Sequence, residues 1–490
     1  MSQIAGLITR AARQFGSRPC LVEGGRRVSF AEFDAATNRF ANAMQTLGLA
    51  HGDRVGVLLP NGIDCLIAYY GLAKAGLVRV SLNSRDTLAD LRFKLAEVGS
   101  GAVLTADVTA DLGVPITFAP AQLQAIIAAA SDAPCGIDRG LDDSYRLGFT
   151  GGTTGRPKAV TLTERGELAE LSAFLTDLVP DIGPHDRFLH AAPIAHASGA
   201  FFLPALVRGA TSLVMARYDA AEFVALAAAS RATMTFLVPT MLALLLDDPA
   251  LEGADLALRR IAYGASPLAP AVYARAEARF GRVFAQTYGQ AESPMVITCL
   301  KPNEHDRIGS CGRPFTLAEV AVMDDAGTLL PPGSVGEMVV RGPQLMARYW
   351  NRPEATAEAF RGGWLHTGDI GRMDDEGFFY LLDRKGDMLI SGGYNVYPRE
   401  VEDALLAFPG VAEAAVVGLP DETWGDRVHA VVSGQGIDQL ALLAHTRAVL
   451  AGYKAPRSVD VWPDLPKSPA GKILRREVRR LVVEAREAVA

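Results

Sequence analysis

The sequence predicts an α/β protein: a large N-terminal domain of parallel-sheet subdomains plus a β-rich subdomain, then a small α+β C-terminal domain. Three observations point there. Short apolar runs alternate with helix-period segments up to about residue 310, the order of parallel strands joined by covering helices. Beyond that point short strands are separated by Gly, Pro and Asp turns, as in an antiparallel subdomain. After Asp383-Arg384-Lys385-Gly386-Asp387 the pattern restarts as a smaller unit. A chain of 490 residues is too long for one small domain, and we divide it at 1–385 and 386–490.

The elements follow in order. Ile4, Leu7 and Ile8 fall on one face of an N-terminal amphipathic helix. Residues 55–59 read as a strand and 63–75 as the helix after it. Residues 102–105, 211–215, 235–238 and 260–263 are further strands, with helical patterns at 220–230 and 270–280. The longest apolar run, 234–246, contains Thr235, Pro239 and Thr240 and is shorter than a membrane span. It reads as a buried strand and a following helix. In the β-rich part, strands at 320–323, 336–341 and 378–382 are set off by turns such as Asp374-Asp375-Glu376-Gly377. Near the C-terminus Pro398 precedes a helix over 399–408, with Val401, Leu405 and Phe408 inward, and 411–419 and 428–432 are strands.

Composition excludes several classes. Hydrophobic residues make up 49% of the chain, enough for large cores, and the net charge of −7 is spread without a basic tract for nucleic acid. Five scattered cysteines without a CxxC spacing suggest neither a disulfide framework nor a zinc site. A reducing cytoplasm fits them best. The N-terminus lacks the basic region and apolar run of a signal peptide, and no transmembrane segment is expected.

The most informative stretch is Thr150-Gly151-Gly152-Thr153-Thr154-Gly155-Arg156-Pro157-Lys158. It offers close backbone approach, hydroxyl donors and one cation, which is what a polyphosphate needs. It is not a Walker A loop, since Gly155 is followed by Arg156-Pro157-Lys158 rather than Lys-Ser/Thr. Nor does it fit the dinucleotide fingerprint. Three more distinctive segments lie downstream, at Tyr288-Gly289-Gln290-Ala291-Glu292, Trp364 to Asp369, and Pro466 to Lys472.

Together these segments resemble the adenylate-forming superfamily of acyl- and aryl-CoA synthetases, luciferases and adenylation domains, over a span from near residue 20 to about residue 480. The resemblance implies ATP, Mg²⁺ and CoA, a carboxylic acid substrate and a mobile small domain. Thr150, Gly151, Gly152, Thr153, Thr154, Gly155 and Lys158 would cradle the phosphates, Gly151 standing where the family usually has Ser. Gly264, Ala265 and Ser266 would lie along adenine and the acyl pocket, and Gln286, Thr287, Tyr288, Gly289, Gln290 and Ala291 would bind ATP or AMP, with Tyr288 packed on the adenine. Ala291 replaces a usual Thr. Glu292, with Thr153, would hold Mg²⁺. Asp369 would take the ribose hydroxyls, assisted by Arg384, and His366 reads as structural. Lys472 would stabilise charge on the carboxylate and α-phosphate.

His196 stands where the family has a gating aromatic residue. It is counted among the catalytic and acyl-pocket residues, beside the plainer reading of a hydrogen-bonded core histidine. Ser198, Phe202, Gly264 and Met295 complete the expected pocket, and Thr287, where many relatives have Gly, would shorten it. Gly392 and Gly393 would flank the CoA tunnel. Gly386 falls at the family's hinge, where Asp or Lys is commoner. The implied activity is an AMP-forming acid–CoA ligase for a fatty or aryl acid, working as a monomer or homodimer. Alternatives are a free-standing adenylation enzyme that loads a carrier protein, a luciferase-like oxygenase, or a non-catalytic nucleotide-binding protein.

Overall fold

The computed structural model describes residues 3–118, 120–150, 157–266, 268–421, 423–467 and 473–487. The chain forms two compact units, one of residues 1–320 with 340–365, the other of 321–339 with 366–490. Among the described residues no helix is long and apolar enough to cross a membrane.

The first unit holds the expected parallel sheets. In one, Phe284–Gln290, Arg260–Gly264, Met234–Leu237, Arg187–His190, Thr211–Val214 and Pro19–Glu23 run parallel in that spatial order. Apart from the half-buried Val22, their Val, Ile, Leu and Phe side chains are buried, as both-face coverage requires. The apolar run at 234–246 resolves into the strand Met234–Leu237 and the helix Pro239–Asp247, with Pro239 at its first turn, where a missing N–H costs nothing. A second sheet places Val78–Ser81, Arg54–Leu58, Ala102–Thr105 and Ile116–Phe118 parallel, and Ser144–Phe149 joins it alongside Val78–Ser81. Two helices match their expected ends, Ala220–Ser230 and Pro270–Phe280. The N-terminal helix Gln3–Phe15 buries Ile4, Ala5, Ile8 and Ala11, and Glu164 Oε1 accepts from Ile4 N at 2.9 Å.

Two antiparallel additions carry two of the sequence motifs. Ser293–Leu300 folds back on Phe284–Gln290, so residues 286–290 form one arm of a hairpin and 291–292 its turn. Ala159–Thr163 folds back on Ser144–Phe149 with Phe149 opposite Ala159, so residues 150–158 span the gap between these strands.

In the second unit, Leu365–Met373 and Phe379–Arg384 pair antiparallel and set Asp369 opposite Arg384. Beyond them Val411–Asp421 and Gly425–Gly434 form a long hairpin, and Ser458–Val461 adds in parallel. Alternation with period two gives this sheet two cores. Val416, Val428, Ala430 and Val432 pack with Val401, Leu405 and Leu442, whereas Ala415, Val417, Leu419 and Val431 pack with Val478 and Val482. Pro398 is the first residue of the helix Pro398–Leu406 rather than the residue before it, as its fixed φ and missing N–H allow.

Candidate active site

Thr150 and Lys158 close the neck of the Gly/Thr loop. Thr150 N donates to the Lys158 carbonyl at 3.1 Å, and Lys158 N donates to Thr150 Oγ1 at 3.2 Å. Gly151, Gly152, Thr153, Thr154 and Gly155 lie outside the described residues, as does Lys472.

Beyond the neck, Lys158 Nζ sits 4.2 Å from the centroid of the Tyr349 ring, and Tyr349 Oη donates to Glu292 Oε1 at 2.6 Å. An aromatic face thus carries the cation while its hydroxyl holds the carboxylate. Burial first, and the Glu292 charge second, push the Tyr349 phenol well above its usual pKa, so it remains a donor. Backbone pairing explains the position. Tyr349 lies opposite Val160, two residues after Lys158, and Met346 N donates to the Glu292 carbonyl at 2.8 Å. Sequence reasoning missed Tyr349, and no local signal ties it to a carboxylate 57 positions away.

The small-residue loop and the hairpin meet closely. Gly264 lies opposite Thr287, and a Cβ on Gly264 would fall 2.5 Å from the Thr287 carbonyl oxygen. A Cβ on Gly289 would fall 2.3 Å from Met295 N. Two non-glycine residues here hold left-handed backbone, Ala265 at φ 69° and Met295 at φ 57°, and such strain collects where function fixes the chain. The Thr287 hydroxyl donates to the Met295 carbonyl. Gln286 Oε1 accepts from Tyr263 Oη at 3.2 Å, which ties that side chain to the preceding strand. Tyr288, Gln290 and Ser266 are half-buried and Ala265 is exposed.

His196 is exposed at the start of the short helix Ala197–Phe201. Its Nε2 lies 3.1 Å from Asn83 Nδ2. Crowding by surrounding protein lowers its pKa below the ordinary histidine value; Asp86 opposes the shift, and Lys94 and Arg85 add to it. Ser198 and Phe202 are fully buried. Ser198 Oγ is 3.0 Å from Nδ1 of the buried His190, and Phe202 packs on Phe33 and Tyr70 at 5.2 and 5.1 Å, so both anchor the loop from below. Burial pushes His190 down to about 4 and keeps it neutral. Sequence reasoning passed over His190; its place in a strand of apolar neighbours was the available signal.

In the second unit, Asp369 is buried, and its Oδ1 is 3.1 Å from Arg384 Nε. Thr367 Oγ1 holds the Asp369 backbone N at 3.0 Å and donates to the Met338 carbonyl at 2.6 Å. His366 Nδ1 is 3.1 Å from Glu337 and both are buried, which is the structural role expected of it. Gly392 and Gly393 turn the hairpin between Leu389–Ser391 and Tyr394–Val396, both with positive φ, and Gly392 N donates to the Trp424 carbonyl at 2.9 Å. A Cβ at Gly386 would meet nothing within 4 Å. Either side of Gly386 is tied to Arg475, which binds Asp383 at 2.8 Å, Asp387 at 3.1 Å and Glu402 at 2.6 Å.

A model of AMP-binding enzymes matches residues 8–350, and one of the AMP-binding enzyme C-terminal domain matches residues 400–472. A medium/long-chain-fatty-acid–CoA ligase of Mycobacterium tuberculosis is 36% identical, the match covering 96% of this chain and 89% of that protein. A feruloyl-CoA synthase of an Amycolatopsis species is 38% identical, over 96% of this chain and 97% of that one. Among solved structures, ATP-bound MatB of Rhodopseudomonas palustris superposes with a TM-score of 0.90 at 30% identity, covering 97% of this chain and 98% of that one. The chain belongs to the AMP-binding enzyme family. Within that family it is an AMP-forming acid–CoA ligase, and ATP and CoA are its co-substrates.

Proposed function

We propose that the enzyme activates a medium-length fatty or aryl carboxylic acid as its acyl-adenylate and passes the acyl group to CoA. The observation that carries the phosphate-end reading is the bridge from Lys158 through Tyr349 to Glu292 at the neck of the Gly/Thr loop. It holds a cation for phosphate oxygens and a carboxylate for a metal within one framework. Among the described residues no cluster of three or more His, Cys, Asp or Glu could cage a metal ion. A single carboxylate suits Mg²⁺, which binds through one or two carboxylates and the substrate's phosphates. Glu292, with Thr153, would hold it, and when bound it neutralises phosphate charge.

In the first half-reaction a carboxylate oxygen attacks the α-phosphorus and the bond to pyrophosphate breaks. Lys158 and the loop donors orient the departing phosphates, Asp369 and Arg384 hold the ribose, and Lys472 stabilises charge that builds at the reacting centre. In the second, the CoA thiolate attacks the acyl carbonyl and AMP leaves. We divide the chain functionally at Gly386, with rotation there exchanging Lys472 for the Gly392-Gly393 turn. Gly386→Pro is then expected to change the ratio of the two half-reaction rates, measured separately; unchanged rates of both would remove the hinge from Gly386.

Thr287 sets the depth of the acyl pocket, since its side chain faces Gly264 and binds Met295. Thr287→Gly is expected to shift kcat/KM toward longer acids in a chain-length series. The same preference in both enzymes would remove Thr287 as the floor.

The function itself is tested by pyrophosphate release with ATP, Mg²⁺ and a panel of acids, with and without CoA. Turnover that requires both acid and CoA is expected. Acid-dependent release indifferent to CoA would transfer the second step to a carrier protein.

A further inference from the structure

The His196 ring faces a loop that the reaction above does not use. Among the described residues its hydrogen-bond partner is Asn83, with Nδ2 at 3.1 Å from His196 Nε2. The orientation of that amide is fixed from behind. Asn83 Oδ1 lies 2.9 Å from Arg85 N, and a backbone N–H only donates, so Oδ1 is the acceptor there. The amide NH₂ is therefore the group turned toward the ring, and Nε2 must accept. An imidazole whose Nε2 accepts is neutral and carries its proton on Nδ1.

The loop that presents Asn83 is itself braced. Asp86 N donates to the Asn83 carbonyl at 3.0 Å, and Asp86 Oδ2 accepts from Asn83 N at 3.3 Å. Lys94 Nζ, from the helix Leu88–Glu97, pairs with Asp86 at 2.6 Å, with both side chains largely buried. On the other side, His196 N donates to the Pro193 carbonyl at 3.1 Å, and Ser198 is anchored by His190. Both backbones are thus fixed and the side-chain contact joins them. The charged groups around the ring are Asp86, which favours the imidazolium, and Lys94 and Arg85, which oppose it.

We propose that Asn83 is a positioning residue that latches His196 as a neutral, Nδ1-protonated imidazole. This rests on His196 lining the acyl site. The consequence for the reaction is electrostatic. An imidazolium there would pair with the substrate carboxylate and stabilise the ground state, which does nothing for the chemical step. A neutral ring leaves the carboxylate free to meet the α-phosphate. Protonating Nε2 would set a donor against the Asn83 NH₂ and open the latch.

The latch is read directly from long-range proton–nitrogen spectra of protein carrying isotope-labelled histidine, with the His196 signal identified by its loss in His196→Ala. The expected result for the unaltered enzyme is a neutral ring protonated on Nδ1 at neutral pH. Asn83→Ala should release the tautomer and raise the KM for the acid about fivefold, the usual worth of one hydrogen bond, with little change in kcat. Asn83→Asp places an anion opposite Nε2 and should move the acidic limb of the acid kcat/KM profile upward by about 1–3 pH units. A ring protonated on Nε2 in the unaltered enzyme overturns the proposal whether or not any variant folds. A latch present in the spectra, with the acid KM unmoved in both Asn83→Ala and His196→Ala, supports the latch and removes His196 from the acyl site.

Discussion

Lys472→Ala is expected to slow acyl-adenylate formation about 10²–10³-fold, the usual cost of losing one donor aimed at developing charge. The effect should be confined to the first half-reaction. Acyl-adenylate supplied directly should still react with CoA at close to the unaltered rate, because the proposed role of the lysine belongs to the adenylation step alone. The two rates are separable in single-turnover experiments. Equal losses in both would mean that the substitution disturbs the whole domain.

Arg475→Ala is expected to cost about 3–5 kcal/mol of C-terminal stability, because removing one partner leaves buried charge uncompensated. Arg475 holds Asp383, Asp387 and Glu402, and the Asp383 and Glu402 side chains are only 2% and 7% exposed. Glu402 also accepts from Val416 N at 2.9 Å, so the loss reaches the central hairpin. The deficit has a predictable sign with pH. Burial already raises the Asp383 pKa against the pull of Arg475, and without the arginine it rises further. A carboxyl with a raised folded pKa binds more protons folded than unfolded, so stability falls as pH rises through that window. The deficit should therefore be largest at neutral pH and shrink as pH falls toward the ordinary aspartate value. Urea unfolding of the full chain, followed by hydrogen exchange in Val411–Asp421 and Gly425–Gly434, measures it. A loss under about 1 kcal/mol at neutral pH would reduce the cluster to a surface-like ion pair.

The parallel strands are legible in the sequence because each is an apolar run bounded by turn residues, and Ala220–Ser230 and Pro270–Phe280 because their starts carry Asp219 and Pro270. The hairpin at 284–300 is not, since Gly289, Gln290 and Ala291 interrupt its pattern just where it bends. Among candidate site residues, those in contiguous motifs are legible: Lys158, Glu292 and Asp369 each sit in a recognisable string. Tyr349, Asn83 and Arg475 are not. Each works through a partner many positions distant, such as His196 for Asn83, and contacts of that kind are written by topology rather than by spacing. For Ser198 and Phe202 motif position gives the expected pocket, and topology adds their neighbours, His190 for Ser198 and Phe33 with Tyr70 for Phe202.

The paired neck formed by Thr150 and Lys158 has a thermodynamic consequence for nucleotide affinity. Bringing the ends of a loop together carries an entropy cost that grows with the logarithm of its length. Here the hairpin of Ser144–Phe149 and Ala159–Thr163 meets that cost during folding, before any nucleotide arrives. In the proposed site the grip on ATP is therefore partly a property of the two β-strands that carry the loop. Loosening their register would weaken ATP binding as surely as removing a phosphate contact, and would do so through entropy.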